Sequence, residues 1–90
     1  MQTLQAIKQL VEDNNINEAI DALNLYILSE PTSDEAFFLR GNLYRRIGDM
    51  RRAINDFCEA IERNPQSPAV EAYRATQEIL GFFNPDIFNP

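Results

Sequence analysis

Residues 34–65 read DEAFFLRGNLYRRIGDMRRAINDFCEAIERNP, and this stretch decides the fold. Apolar and small residues recur at helical spacing on both sides of Gly48-Asp49. Phe37, Gly41, Tyr44 and Ile47 precede the break; Ala53, Phe57, Ala60 and Ile61 follow it, and Pro65 stops the second run. The spacing predicts a helical hairpin. Two antiparallel helices cross closely only where both present small side chains, so Gly41 and Ala53 are expected at the crossing. Tyr44 and Phe57 then fill the wider space beside it, and Ala60 lets a further helix approach. Gly48 can take the left-handed conformation that ends the first helix, and Asp49 can cap the second.

The order of an aromatic, Gly, Tyr, a turn Gly, then Ala, Phe, Ala and Pro in this stretch resembles one tetratricopeptide repeat. Arg40 departs from the family pattern, which often has Leu there. Working outward, a shift of 34 residues lays an earlier segment on this one: Leu10 on Tyr44, Asn14 on Gly48, Ala19 on Ala53, Leu23 on Phe57 and Pro31 on Pro65. Residues 1–31 are therefore read as a more divergent repeat. Its stripes are Leu4, Ile7, Leu10 and Val11, then Ile16, Ala19, Ile20, Leu23 and Ile27. Asn14 tolerates the left-handed region, and Asn15 to Glu18 resembles a capping box. Ile7 stands where the second copy has Gly41, which predicts a less close crossing. Thr32 or Ser33 caps the third helix, with Asp34 and Glu35 at its positive end. Ser67-Pro68 opens a fifth helix over residues 68–80, a capping helix half-buried on the fourth with Ala75 as its small residue; Gly81 should end it.

Residues 81–90 form an apolar tail. Its stretch from Phe82 to Pro90 holds four large apolar residues in nine, and Phe-Asn-Pro occurs twice. The expected class is all-α, an α-α superhelix of antiparallel hairpins with five helices and an ordered, extended C-terminal tail. No helix of this length is stable alone, so hairpin must pack on hairpin. A chain of 90 residues makes one domain and buries only about 60–65% of its surface.

Composition narrows the function. Eight basic residues against 14 acidic ones leave a charge of −6, which opposes general nucleic-acid or anionic-membrane binding. The chain has no His, so His-based acid–base catalysis and most zinc patterns are excluded. Cys58 has no partner for a disulfide and no His for catalysis; the Gly residues are explained by packing and turns, and no phosphate loop exists. The expectation is a non-enzyme without cofactor or metal. No leader or membrane span is read in the sequence, and the cytoplasm is the expected location.

The resemblance implies a protein–protein interaction module whose first helices line a concave groove that holds an extended peptide or a partner helix. Carried over in the 34-residue frame, the groove positions are Leu4, Lys8 and Val11; then Phe38, Leu39, Asn42, Arg45 and Arg46; then Ala72, Tyr73 and Thr76. Phe38 either projects onto that face or packs against the first or fifth helix. Of the five positions with which some family members clamp a peptide carboxylate, only Asn42 matches; Leu4, Lys8, Ala72 and Thr76 occupy the rest. The groove is thus expected to prefer an apolar ligand flanked by Arg45 and Arg46. Arg40, Arg45, Arg46, Arg51 and Arg52 read better as a solvated surface paired with carboxylates, for example Arg52 with Asp56, than as a site for an acidic or phosphorylated partner. The alternative function is self-association, with Phe82, Phe83, Ile87 and Phe88 docking into a neighbouring subunit to form a homodimer or chain; a tail packed on its own helices ranks slightly ahead of a swapped one.

Overall fold

The computed structural model describes residues 2–83. Five helices follow one another: α1 (Leu4–Glu12), α2 (Ile16–Ser29), α3 (Asp34–Arg46), α4 (Met50–Arg63) and α5 (Ala69–Phe83), and the described residues contain no strand. Each helix packs on the next, and α5 also touches α3.

Local chemistry explains the breaks. Asn14 (φ +64°) and Gly48 (φ +86°) sit in the left-handed region. Each is the pivot of a Schellman turn. The Asn15 N–H donates to Leu10 O at 2.8 Å and the Asn14 N–H to Val11 O at 3.0 Å. The Asp49 N–H donates to Tyr44 O at 2.8 Å and the Gly48 N–H to Arg45 O at 3.1 Å. These bonds recur at an offset of 34, and so do those between the hairpins: Glu30 N–H to Tyr26 O against Asn64 N–H to Ala60 O, and Ser33 N–H to Glu30 O against Ser67 N–H to Asn64 O. The backbone thus repeats in its connections as well as in its helices.

Capping follows the sequence with one correction. Ser33 accepts from the Ala36 N–H at 3.2 Å and Asp49 from the Arg52 N–H at 3.2 Å. Thr3 starts α1 in the same way, accepting from the Ala6 N–H at 3.1 Å. Asn15 occupies the cap position of α2 but makes no side-chain cap bond, so the expected capping box does not form.

Two apolar clusters form the core. One is built on Ile7, Ala19, Ile20, Leu23, Ala36 and Leu43. The other is built on Phe37, Ala53, Phe57, Ala60 and Ala69. Ile27 and Tyr44 pack against both and join them. Burying each of the large side chains contributes about 1.5–3 kcal/mol. The close approach of α3 and α4 differs from the small-against-small crossing read from the sequence. Gly41 makes room for the Phe57 ring: a Cβ at Gly41 would lie 2.6 Å from Phe57 Cε1 and 2.7 Å from Cδ1. The first copy puts Ile7 and Leu23 at these two positions, both fully buried, so two mid-sized side chains replace a glycine and a ring.

Three further expectations are corrected. Ile47 is not part of the hairpin core; as the C-cap of α3 it swings outward and is 52% exposed, while Leu43 takes the inward place. Gly81 does not end α5, whose backbone stays helical to Phe83, past the expected start of the tail. The register of α5 is displaced by one residue from the 34-residue frame. The link from α4 to α5 is one residue longer than that from α2 to α3, because Pro68 stays outside the helix that begins at Ala69. Thr76, fully buried, therefore takes the place Gly41 holds in α3, and Ala75 faces solvent. The Thr76 hydroxyl is satisfied by donating to Ala72 O at 2.7 Å.

Candidate functional site

The first helices of successive pairs lie side by side. Lys8 of α1 donates to Glu35 of α3 at 2.6 Å, and α3 contacts α5. The Lys8–Glu35 pair is about half exposed, so it marks alignment more than it adds stability.

Of the sequence-predicted groove residues, Leu4 and Val11 are half-buried and lean on the first cluster, as does Leu39. Phe38 packs on α4, not on the first or fifth helix named in the sequence reading. Its ring tilts against Phe57, with centroids 6.2 Å apart, yet it remains half-exposed. It lines a hollow of about 340 Å³ between the beginnings of α3 and α5, together with Asp34, Glu35, Ser67 and Pro68. Asn42 is half-exposed and accepts from Arg45 Nη2 at 3.3 Å, and the Arg45 guanidinium lies 5.7 Å from the Phe57 ring centroid. Arg46 is exposed and reaches Asn14 Oδ1 at 3.4 Å. Ala72 and Tyr73 are half-buried on the second cluster.

Thr76 is a correction: it is 0% exposed and cannot line an open groove. With the register of α5 moved by one, the residues equivalent to Phe38, Leu39 and Asn42 become Tyr73, Arg74 and Gln77. Gln77 Nε2 donates to the Tyr73 hydroxyl at 2.8 Å, a polar rim on an aromatic. Arg74 and Gln77 are exposed, and reasoning in the fixed frame missed both. The local spacing Ala69, Ala72–Tyr73, Thr76, Ile79–Leu80 carries the signal that would have found them. Of the proposed self-association residues, Phe82 and Phe83 form the last backbone positions of α5, and Ile87 and Phe88 lie outside the described residues.

The basic cluster is largely consumed by pairing, though not by the expected pairs. Arg40 sends a fork to Asp56, Nε to Oδ2 at 2.8 Å and Nη2 to Oδ1 at 2.8 Å, and its Nη1 donates to Asn24 Oδ1 at 2.9 Å. The Asp56 side chain is 1% exposed, so this departure from the family pattern is part of the packed interior, tying α2, α3 and α4 together. The hydrogen bond to Asp56 outweighs burial and pushes the guanidinium further up in pKa, keeping it charged. Arg52 pairs with Asp49 at 3.1 Å instead of Asp56. Arg63 lies 4.2 Å over the Phe37 ring and donates to Pro31 O at 2.6 Å, fastening α4 to the α2–α3 connection.

No group of three or more potential metal ligands occurs among the described residues, and no helix there is long and apolar enough to cross a membrane. The large apolar side chains left most open are Leu25 (63%) and Leu28 (81%), both on α2.

Comparison with known proteins agrees with this geometry. The sequence profile of the Tetratricopeptide repeat matches residues 34–67. The mouse Tetratricopeptide repeat protein 16 is 26% identical over 83 residues, which cover 92% of this chain and 11% of that protein. The chain thus spans a small fraction of that relative. A Bacteroides fragilis protein, BF1650, solved by solution NMR, superposes with a TM-score of 0.87 at 42% identity, covering 99% of this chain and 91% of the other. Repeats of the profile's kind are non-catalytic scaffolds that generally mediate protein–protein interaction. With the doubled Schellman turns, the Gly41–Phe57 contact and the 34-residue step all in place, residues 34–67 form a tetratricopeptide repeat whose connecting turns recur in the preceding hairpin.

Proposed function

We propose that the face shared by α1, α3 and α5 binds an extended segment of a partner protein. The observation that carries this reading is Phe38. It is half-exposed beside an open hollow, on the helix that has a neighbour on each side. A buried aromatic in that position would leave the face with no anchor; a half-exposed one offers apolar area at low entropic cost. Tyr73 extends the apolar strip onto α5, and Asn42 and Gln77 supply amide groups that can pair with a peptide backbone. Arg45 and Arg46 at the other end of α3 favour a ligand with an acidic residue on one flank of its apolar anchor. Leu4, Lys8 and Val11 continue the face onto α1, and Ala72 sits at its floor.

The test is a selection from a random-sequence peptide library displayed on phage, with binding of the recovered peptides measured by calorimetry. The expected peptides carry an apolar or aromatic residue next to an acidic one. Phe38→Ala should weaken them by about tenfold or more. Because Phe38 also packs on Phe57, Gln77→Ala and Asn42→Ala provide a second reading on side chains outside the core. Peptides whose affinity is indifferent to all three substitutions would refute the proposal.

A further inference from the structure

The opposite end of α3 and α5 holds a second hollow, of about 710 Å³, between the α3–α4 turn and the last turns of α5. Its wall is apolar where turns are usually polar: Ile47, Met50, Ile79 and Leu80, with Arg51 at the edge. Ile47 is the large apolar side chain that the hairpin core did not take in. Arg51 has no ion-pair or hydrogen-bond partner among the described residues, and Asp49, the carboxylate in the wall, already accepts from Arg52.

We propose that this hollow is the docking site of residues 84–90 of the same chain, with Ile87 and Phe88 against Ile47, Met50, Ile79 and Leu80, and Asp86 beside Arg51. Three arguments select that occupant. The first is chemistry: the sequence NPDIFNP offers one acid followed by two large apolar residues, matching an apolar wall that includes Arg51, unpaired among the described residues. The second is reach. Leu80 lines the hollow, and Phe83, the last residue of α5, lies only about 4.5 Å further along the helix axis. Five further residues to Phe88 span up to about 17 Å, enough to turn back. Proline has no N–H to donate to a helix and disfavours helical backbone in the residue before it, so the sequence Asn84-Pro85 is suited to a change of direction after α5. The third is size. A wall of four apolar residues is far below the roughly 1,600 Å² of a standard protein–protein interface, so it would hold a second copy poorly. A tethered segment needs little intrinsic affinity, because its effective concentration is in the millimolar range. Docking there would cover the end of the last helix and leave the face around Phe38 open.

The test uses the full chain and its Ile87→Ser, Phe88→Ser double variant, read by NMR amide exchange and by sedimentation. Docking in the same chain predicts exchange about tenfold faster at Ile79 and Leu80 in the variant, no change at Ala19 to Leu23, and a monomer throughout. Arg51→Asp should reproduce part of the acceleration, and adding Asp86→Arg should reverse it. Unchanged exchange at Ile79 and Leu80 overturns the proposal. Protection that grows with protein concentration alongside a dimer also overturns it, by placing the segment on a second copy.

Discussion

Gly41→Ala separates packing from helix propensity. Alanine in a helix interior is better than glycine by about 0.8–1.0 kcal/mol, so on local grounds the substitution should stabilise α3. The structure predicts the reverse. The new Cβ would stand 2.6 Å from one Phe57 ring carbon and 2.7 Å from another, where ordinary contact begins at 3.4 Å, so the ring must retreat by about 0.8 Å. Phe57 is fully buried, and close-packed interiors leave a ring little slack. Overpacking of that kind costs about 1–3 kcal/mol, which leaves a net loss of up to about 2 kcal/mol and a fall in Tm of up to about 15 °C for a chain of this size. In a Phe57→Leu background the ring is gone, and Leu fills the place as Leu23 does beside Ile7. There the same Gly41→Ala change should stabilise by about 0.5–1 kcal/mol. Urea and thermal unfolding followed by far-UV circular dichroism measure both arms. A Gly41→Ala protein more stable than the parent in the original background refutes the close approach of α3 and α4.

Arg40→Ala strips the fork from a buried carboxylate and should cost about 3–5 kcal/mol, measured by urea unfolding; replacing both partners, Arg40→Leu with Asp56→Leu, should recover most of that loss, and a fully additive double variant would contradict the pairing. Arg40→Lys keeps the charge but not the fork and should lose about 1–2 kcal/mol in the same assay. Cys58 is exposed, yet burial of its thiol, with the Glu59 and Glu62 carboxylates adding to it, pushes its pKa up. A raised pKa means less thiolate at a given pH, so iodoacetamide should modify Cys58 more slowly than a free cysteine peptide at neutral pH. The rate should climb as pH passes above the ordinary thiol range, and Glu59→Gln with Glu62→Gln should speed it.

The hairpin was legible because its signals are local. Gly48 and Asn14 pivot turns that only a few residue types can make, and Asp49 and Ser33 cap helices through bonds three residues away. What escaped was tertiary. Arg40 and Asp56 are 16 residues apart, and nothing in their spacing tells which Arg a buried Asp will choose. Ile47 looked like a core residue by its apolar character, but a C-cap position points away from the helix interface. The α5 register failed because a fixed 34-residue step was carried through a connection with one extra residue, where the helix's own periodicity pointed to Thr76 as the buried position. Gly81 misled because glycine is only a weak helix stop when no left-handed turn follows it. The side-by-side alignment of α1 and α3 was expected from the family resemblance; the exposure of Arg74 and Gln77 on α5, hidden by the register error, was not.

The binding face is tested most directly by NMR chemical-shift mapping of the labelled chain with a library-selected peptide. The account predicts the largest shifts at Phe38, Asn42, Arg45, Tyr73 and Gln77, with α2 little changed. Shifts centred on Leu25 and Leu28, with Phe38 and Tyr73 silent, would contradict it and move the binding surface to the outer side of the stack.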